Sequence, residues 1–429
     1  MGTGTGHPAI EAVDRRFKER RDQVPVLAQR AEAEGVTEVG CLEDLIPLLF
    51  PHTVYKSYPV QLIDNGRWPQ MNRWLDSVSA HRVDVDVEGA TDVDDWMGKL
   101  AAAGHYVSAS SGTTGKSSFL PKSIVDLDET VRNHVAELND AGVAQDASYN
   151  VVGLAPDVGN IMSAHMGPEM EKFAKLDQIA KFPSQPRSEG HQAYMTRMVR
   201  LRRALAEGTA TPDEIAGLEA EQARRSAESA ELLGYYADQV IARKDERMLF
   251  GTMMALAWRF VEALRERGAT DDTLTGDNAM FMAGGTKGAV LPDDAEAQIK
   301  AMLNISDERF VQHYSMQEIN LALPKCSEGR YHTREGLVLV VLDEGGDNLV
   351  PVSPDGVLDG RAAFFDTSVD GRWGGIISGD HIHALLHCPC GLAGIAVDPK
   401  IERYSSTADG DKITCAGTMD AYVRGIAGD

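Results

Sequence analysis

Nine consecutive residues carry the densest chemical signal in the chain: Ser110, Ser111, Gly112, Thr113, Thr114, Gly115, Lys116, Ser117 and Ser118. Glycines let a backbone approach oxygen atoms closely and turn its N–H groups inward. The hydroxyls add donors, and the lysine adds a point charge. A polyphosphate is the ligand such a loop suits. The spacing is not that of a Walker A loop, which needs four residues between its glycines and a lysine after the second. Gly112 and Gly115 stand too close together for that.

The order Ser-Ser-Gly-Thr-Thr-Gly-Lys resembles the phosphate loop of the adenylate-forming superfamily, which includes acyl- and aryl-coenzyme A ligases, peptide-synthetase adenylation domains and firefly luciferase. In that family a Pro-Lys pair usually closes the loop; Ser117 and Ser118 stand there instead. Three further matches follow in the family's order. Gly284-Gly285-Thr286 comes after an apolar run, where the family has an adenine-contacting glycine turn. His313-Tyr314-Ser315-Met316-Gln317-Glu318 is similar to the Tyr-Gly-x-Thr-Glu motif, with Ser315 for Gly and Gln317 for Thr. Ser378-Gly379-Asp380 is similar to the family's Thr-Gly-Asp.

The resemblance implies roles. Lys116 and the loop hydroxyls would hold the β- and γ-phosphates of ATP. Tyr314, beside His313, would stack near the adenine, and Gln317 would touch the α-phosphate. Glu318 would hold Mg²⁺, an ion that takes one or two carboxylates together with phosphate oxygens. Asp380 would accept the ribose hydroxyls, and Arg403 would fill the hinge-arginine role. Phe250, Gly251, Met254, Met282 and Ala283 are expected to line a pocket for an apolar or aromatic acid.

The cysteines extend the resemblance to phenylacetate–coenzyme A ligases, some of which carry a Cys/His zinc cluster near this motif. Cys388-Pro389-Cys390 follows Asp380 closely, and Cys326 and His332 lie upstream. Three thiolates and one imidazole complete a tetrahedral Zn²⁺ set, closed and therefore structural. His381, His383 and His387 are other nitrogen ligands nearby. Five cysteines in such a chain point to a reducing cytoplasm.

Elements must position these groups. The expected helices cover most of 8–47, broken at Pro25, then 92–103, two or three across 192–247, and 250–264. Strands are expected at Tyr106-Val107, 150–156, 278–283, 337–342, 363–366 and 375–378, with Asp380 at the end of the last. Helices alternating with strands favour an α/β fold. The resemblance makes it the large N-terminal core of an adenylate-forming enzyme, with layered sheets and helices plus a β-rich C-terminal section. Residues 1–405 would be that core, with a helical insertion near 190–247. Residues 406–429 would be a short hinge-like tail, the family's mobile C-terminal domain being absent or supplied by another protein.

The 429 residues carry a net charge of −23. A phosphate backbone needs a basic face, so nucleic acid is excluded as a partner, as is an anionic membrane surface. An acidic protein that binds ATP must gather its cations locally, for which Lys116 and Lys122 are placed. The N-terminus lacks a signal-peptide pattern, and no apolar run approaches a membrane span. The expected activity is ATP-dependent conversion of a small carboxylic acid to an acyl-adenylate, with release of pyrophosphate. The acceptor is left open among coenzyme A, a carrier-protein thiol, an amine and a cysteine. Cys415, near the chain end, gives a second reading, an acyl-protein synthetase-type subunit. A third is a non-catalytic nucleotide-binding partner of another ligase.

Overall fold

The computed structural model describes residues 8–110, 116–154, 161–179, 190–282, 290–406 and 411–427. The chain forms two compact units. One comprises Met1–Thr130 and Ser315–Asp429, the other Val131–Tyr314.

The first unit opens with α1 (Pro8–Arg21) and α2 (Pro25–Glu34). Pro25 starts α2 at a position where a missing N–H is harmless, and Gly35, with φ +68°, ends it. Short pieces α3 (Leu42–Leu45), β1 (Phe50–Pro51) and α4 (Val60–Asp64) lead to α5 (Trp68–Val78) and α6 (Val93–Ala102). Asp92 caps α6 by accepting from Asp95 N at 2.9 Å. The antiparallel hairpin β2 (Tyr106–Ala109) and β3 (Phe119–Lys122) follows, and α7 (Ile124–Asp140) leads out of the unit. Trp74, Trp96 and Phe119 are fully buried here. Tyr58 packs edge-on against Trp74 at 5.1 Å and tilted against Phe119 at 5.3 Å. Burying each such ring contributes about 1.5–3 kcal/mol, and the cluster fixes the hairpin that carries the phosphate-type loop.

In the second unit β4 (Asn150–Gly153), β5 (Met248–Thr252), β6 (Asn278–Met282) and β7 (Ile305–Tyr314) pair in parallel, in that order. Helices α8 (Ile161–Glu171), α9 (His191–Glu207), α10 (Pro212–Ala242), α11 (Met254–Glu266) and α12 (Ala295–Leu303) complete it. Thr211 and Glu214 cap α10 reciprocally, with Pro212 in its first turn. Only the later half of α10 is apolar toward the core, through Leu232, Leu233, Tyr236, Ala237 and Val240. Its earlier half is charged and mostly exposed. The expectation of a helix over 250–264 is corrected: residues 248–252 are a buried strand and the helix starts at Met254. A run as short as Met248, Leu249 and Phe250 has no period that separates a buried strand from a helix turn.

Returning to the first unit, β8 (Leu323–Pro324), β9 (Tyr331–His332), β10 (Leu337–Leu342), β11 (Val357–Asp366), β12 (Gly375–Leu385), β13 (Ala396–Val397) and β14 (Glu402–Arg403) supply the β-rich section. The sheet runs β10-β11-β12-β13-β9, with β1 and β14 also on β12. A bulge lies between Arg361 and Ala363. Asp380 sits inside β12 rather than at its end, because the strand continues to Leu385. Helix α13 (Ala416–Ala427) packs on α5 and α2 through the fully buried Met419 and Val423. Within the segment read as a hinge-like tail, Ala416–Ala427 is thus a docked helix.

Candidate functional site

The first unit holds the ends of the phosphate-type loop, the Ser315–Glu318 part of the Tyr-Glu motif and the Gly-Asp segment. The neck of the loop is closed by Ser110 N donating to Ser118 O at 3.0 Å and Ser118 N donating to Ser110 Oγ at 2.7 Å. Ser117 and Ser118 are buried, and Tyr58 Oη donates to Ser117 O at 2.9 Å. So the two serines that replace Pro-Lys anchor the loop. Lys116 Nζ lies over the Tyr58 ring at 4.1 Å and donates to Tyr58 O. Ser111, Gly112, Thr113, Thr114 and Gly115 lie outside the described residues, as do Ala283, Gly284, Gly285 and Thr286.

Gln317 is exposed, and its Nε2 donates to Ala109 O at 3.2 Å, joining the Tyr-Glu motif to the strand before the loop. Glu318 is half-buried. Its backbone is held by Arg372, whose guanidinium donates to Glu318 O at 2.7 Å, Gln317 O at 3.3 Å and Pro121 O at 3.1 Å. Arg372 is fully buried and sits 3.9 Å from Asp126. Asp126 accepts from Ser123 N, Asn320 Nδ2, Asp370 N and Gly371 N, all within 2.7–2.8 Å. Burial works against its charge, and Arg372 and Lys122 overcome that, holding the carboxyl below the usual range. Asp366 accepts from Asn320 N at 2.7 Å and Leu321 N at 2.9 Å. This buried network fixes the backbone around Glu318.

Lys122 belongs to the same network and is not a surface cation. Its Nζ donates to Asn320 Oδ1 at 3.2 Å, and burial, reinforced by Arg372, pushes the ammonium down to about 8. Of the two lysines read as phosphate cations, Lys122 is committed to the interior. Lys56, which no motif marked, stands where Glu318, Arg403 and Asp411 all act on it; burial pushes its ammonium down.

Asp380 is buried and pairs with Arg403 Nε at 2.8 Å, the two residues facing each other across β12 and β14. Behind Asp380, Arg361 donates to Ser378 O at 2.9 Å and Asp411 Oδ1 at 2.8 Å. Asp411 also meets His52 Nε2 at 2.6 Å. A Cβ on Gly379 would come within 2.9 Å of Asp411 Oδ2 and 3.2 Å of His52 Nε2, so a side chain there would displace this pair. Burial raises the Asp411 carboxyl, but His52 and Arg361 together hold it below its ordinary value. A depressed carboxylate contributes stability that is complete above its unfolded pKa, about 4, and lost as pH falls through the folded value. Asp411→Asn is therefore expected to cost about 2 kcal/mol at neutral pH. The gap to wild type should close below about pH 4 in urea unfolding series, and a pH-independent gap contradicts the assignment.

The second unit places its candidates along the carboxyl ends of parallel strands, where open α/β sheets bind ligands. Gly251 lies near the end of β5, Met282 ends β6 and Tyr314 ends β7. The side chains divide differently. Phe250 and Met282 belong to the core, Phe250 against Phe260 at 5.9 Å. Met254 is only partly buried against that core. His313 is buried on Glu137, Nδ1 to Oε2 2.8 Å, and stacked on His134 at 5.2 Å.

Cys326, His332, Cys388 and Cys390 converge, with one ligand atom from each within 4.8 Å of the others. Cys326 Sγ is 4.0 Å from Cys388 Sγ, and Cys390 Sγ is 3.3 Å from His332 Nε2. Two turns present the thiols. Gly329 N donates to Cys326 O and Gly391 N to Cys388 O, and both glycines have positive φ. His332 Nδ1 faces Ala393 O at 3.4 Å, which directs Nε2 inward. The donor set and its spacing fit a tetrahedral zinc ion.

Cys415 precedes α13 and is half-buried; burial pushes its thiol up, which works against a reactive thiolate. Among the described residues no helix is long and apolar enough to cross a membrane.

No family model matches the chain, and no curated protein matches it in sequence. Solved structures do match in fold. A 2-hydroxyisobutyryl-CoA ligase in its postadenylation state aligns over 92% of this chain with TM-score 0.53 and 11% identity. The same ligase in an open conformation with 2-HIB-AMP and CoA gives 0.53 and 12%, and in its thioesterification state 0.54 and 13%. This chain covers 66%, 74% and 67% of those three chains, about two thirds of the ligase's length. The layered arrangement of helices and sheets is the fold of the adenylate-forming acyl-CoA ligases.

Proposed function

We propose that this chain belongs to the adenylate-forming enzymes and activates a small carboxylic acid with ATP and Mg²⁺. The carboxylate attacks the α-phosphorus, the bond to the bridging oxygen breaks, and pyrophosphate leaves with the electron pair. The acyl group of the adenylate then passes to a thiol or amine, coenzyme A being the thiol bound in two of the matched ligase structures and a carrier-protein thiol an alternative. The observation that carries the reading is the first unit's arrangement. The loop neck, Gln317 and the buried Asp126–Arg372 network hold Glu318, while Asp380 is presented beside Arg403.

Catalysis of this kind is positioning and charge neutralisation. Lys116 and the loop hydroxyls hold the β- and γ-phosphates, which requires Lys116 to leave the Tyr58 carbonyl. Glu318 holds Mg²⁺, which when bound offsets the charge developing on the phosphate oxygens. Asp380 accepts the ribose hydroxyls, with Arg403 orienting the carboxylate. Gln317 supplies the donor that a threonine supplies in the family pattern. Cys326, His332, Cys388 and Cys390 hold a structural zinc ion away from the chemistry. Burial of the Cys415 thiol gives no support to the acyl-cysteine alternative.

Pyrophosphate release from ATP and Mg²⁺, measured across aryl and aliphatic acids, tests the reading. Stimulation by one acid class is expected. Glu318→Gln should lower that rate about 10²–10³-fold with the fold intact. Nucleotide binding without release across the panel, or a Glu318→Gln rate equal to wild type, would sink the assignment.

A further inference from the structure

On the outer face of the β11–β12 ladder, Asp359, His381 and His383 form a cluster with no part in the reading above. Asp359 lies directly opposite His383, and His381 is two residues earlier on β12. Side chains alternate along a strand. Asp380 and Ile382 therefore turn inward and are buried, while His381 and His383 turn outward. Nε2 of His381 is 2.6 Å and Nδ1 of His383 is 3.7 Å from the same oxygen, Oδ1 of Asp359. One ligand atom from each residue lies within 4.8 Å of the other two. The side chains are 28%, 50% and 55% exposed for His381, His383 and Asp359, so an ion can reach them from solvent. The second nitrogen of His381, Nδ1, faces Glu402 Oε2 at 3.9 Å.

We propose that Asp359, His381 and His383 form a second metal site, which takes a divalent transition ion of the zinc, nickel or copper class. Two imidazoles and one carboxylate are a borderline donor set that Mg²⁺ and Ca²⁺ do not favour. The residues come from two hydrogen-bonded strands, so the ladder sets their spacing before any ion arrives. Glu402, facing the outer nitrogen of His381, is the carboxylate that commonly orients a ligating imidazole. Three protein ligands leave open positions for water or a small anion, unlike the closed Cys/His cluster. An ion here ties β11 to β12 and, through Glu402, faces β14, the strand whose Arg403 pairs with Asp380.

Co²⁺ titration of the untagged full chain tests this. Thiolate-bound cobalt gives an intense near-ultraviolet charge-transfer band; cobalt on histidine and carboxylate gives only weak visible bands. One equivalent with weak bands and no added charge transfer is expected beyond whatever the thiol cluster takes. His383→Ala and, separately, Asp359→Asn should each weaken that equivalent at least about tenfold, with circular dichroism and cluster metal content unchanged. Glu402→Gln should weaken it less. Absence of the weak-band equivalent, or its survival at wild-type affinity in either of the first two variants, overturns the site. Neither result bears on pyrophosphate release, so this proposal and the proposed activity fail separately.

Discussion

Asp126→Ala is expected to destabilise the protein by at least about 4 kcal/mol and to lower the melting temperature by on the order of 10 °C. The carboxylate accepts from four buried N–H groups, three of the backbone and one of Asn320. It also stands between two buried cations, Lys122 and Arg372. An alanine leaves those donors and charges without their acceptor, and each orphaned buried group costs about 1–3 kcal/mol. Asp126→Asn keeps the shape but only one acceptor oxygen, so an intermediate loss is expected. The same change should reach function, because Arg372 fixes the carbonyls of Gln317 and Glu318. Thermal and urea unfolding read the stability. An alanine variant within about 1 kcal/mol of wild type would show that this network is not what holds the segment.

One zinc ion is expected in the cluster of Cys326, His332, Cys388 and Cys390, and Cys388→Ser should release it and cost about 5 kcal/mol or more. The chain between Cys326 and His332 and the chain around Cys388–Cys390 are tied by short strands of two residues, β9 and β13. Strands this short supply few ladder hydrogen bonds, so the order of the corner rests on the ligand bonds. A chelator that strips the ion should reproduce the serine variant's melting curve. Protein isolated without bound metal, together with an unaltered melting temperature in Cys388→Ser, would refute the assignment. The cluster is closed, so its loss should act on activity only through the fold.

The motifs were legible because local chemistry sets them. A loop that wraps phosphate needs glycines and hydroxyls in sequence, and the Cys-x-Cys and Cys-x5-His arms need short turns. The four residues of the cysteine cluster, chosen on their types, their spacing and the family resemblance, come together. Pro25 marked a helix boundary for equally local reasons. The strand at 248–252 was missed because a short apolar run carries no period. Asp380 was placed at a strand end because its glycine reads as a turn. In the structure that glycine is instead the gap into which Asp411 and His52 fit.

What the sequence determined by itself is the inventory: a glycine–hydroxyl loop, a Tyr-Glu segment, a Gly-Asp segment, four zinc-type ligands and an acidic surface unsuited to nucleic acid. What only the tertiary structure decided is which charged residues stay outside. Lys122 and Arg372 look alike to Lys116 and Arg403 in one dimension, yet the first two are buried against Asp126. Arg403 is instead mostly exposed beside Asp380. Hydrogen bonds of this network join residues about 200–250 positions apart, such as Asp126 with Asn320 and Gly371. No local pattern encodes such a pairing, because its energy depends on burial, and burial is a property of the assembled fold.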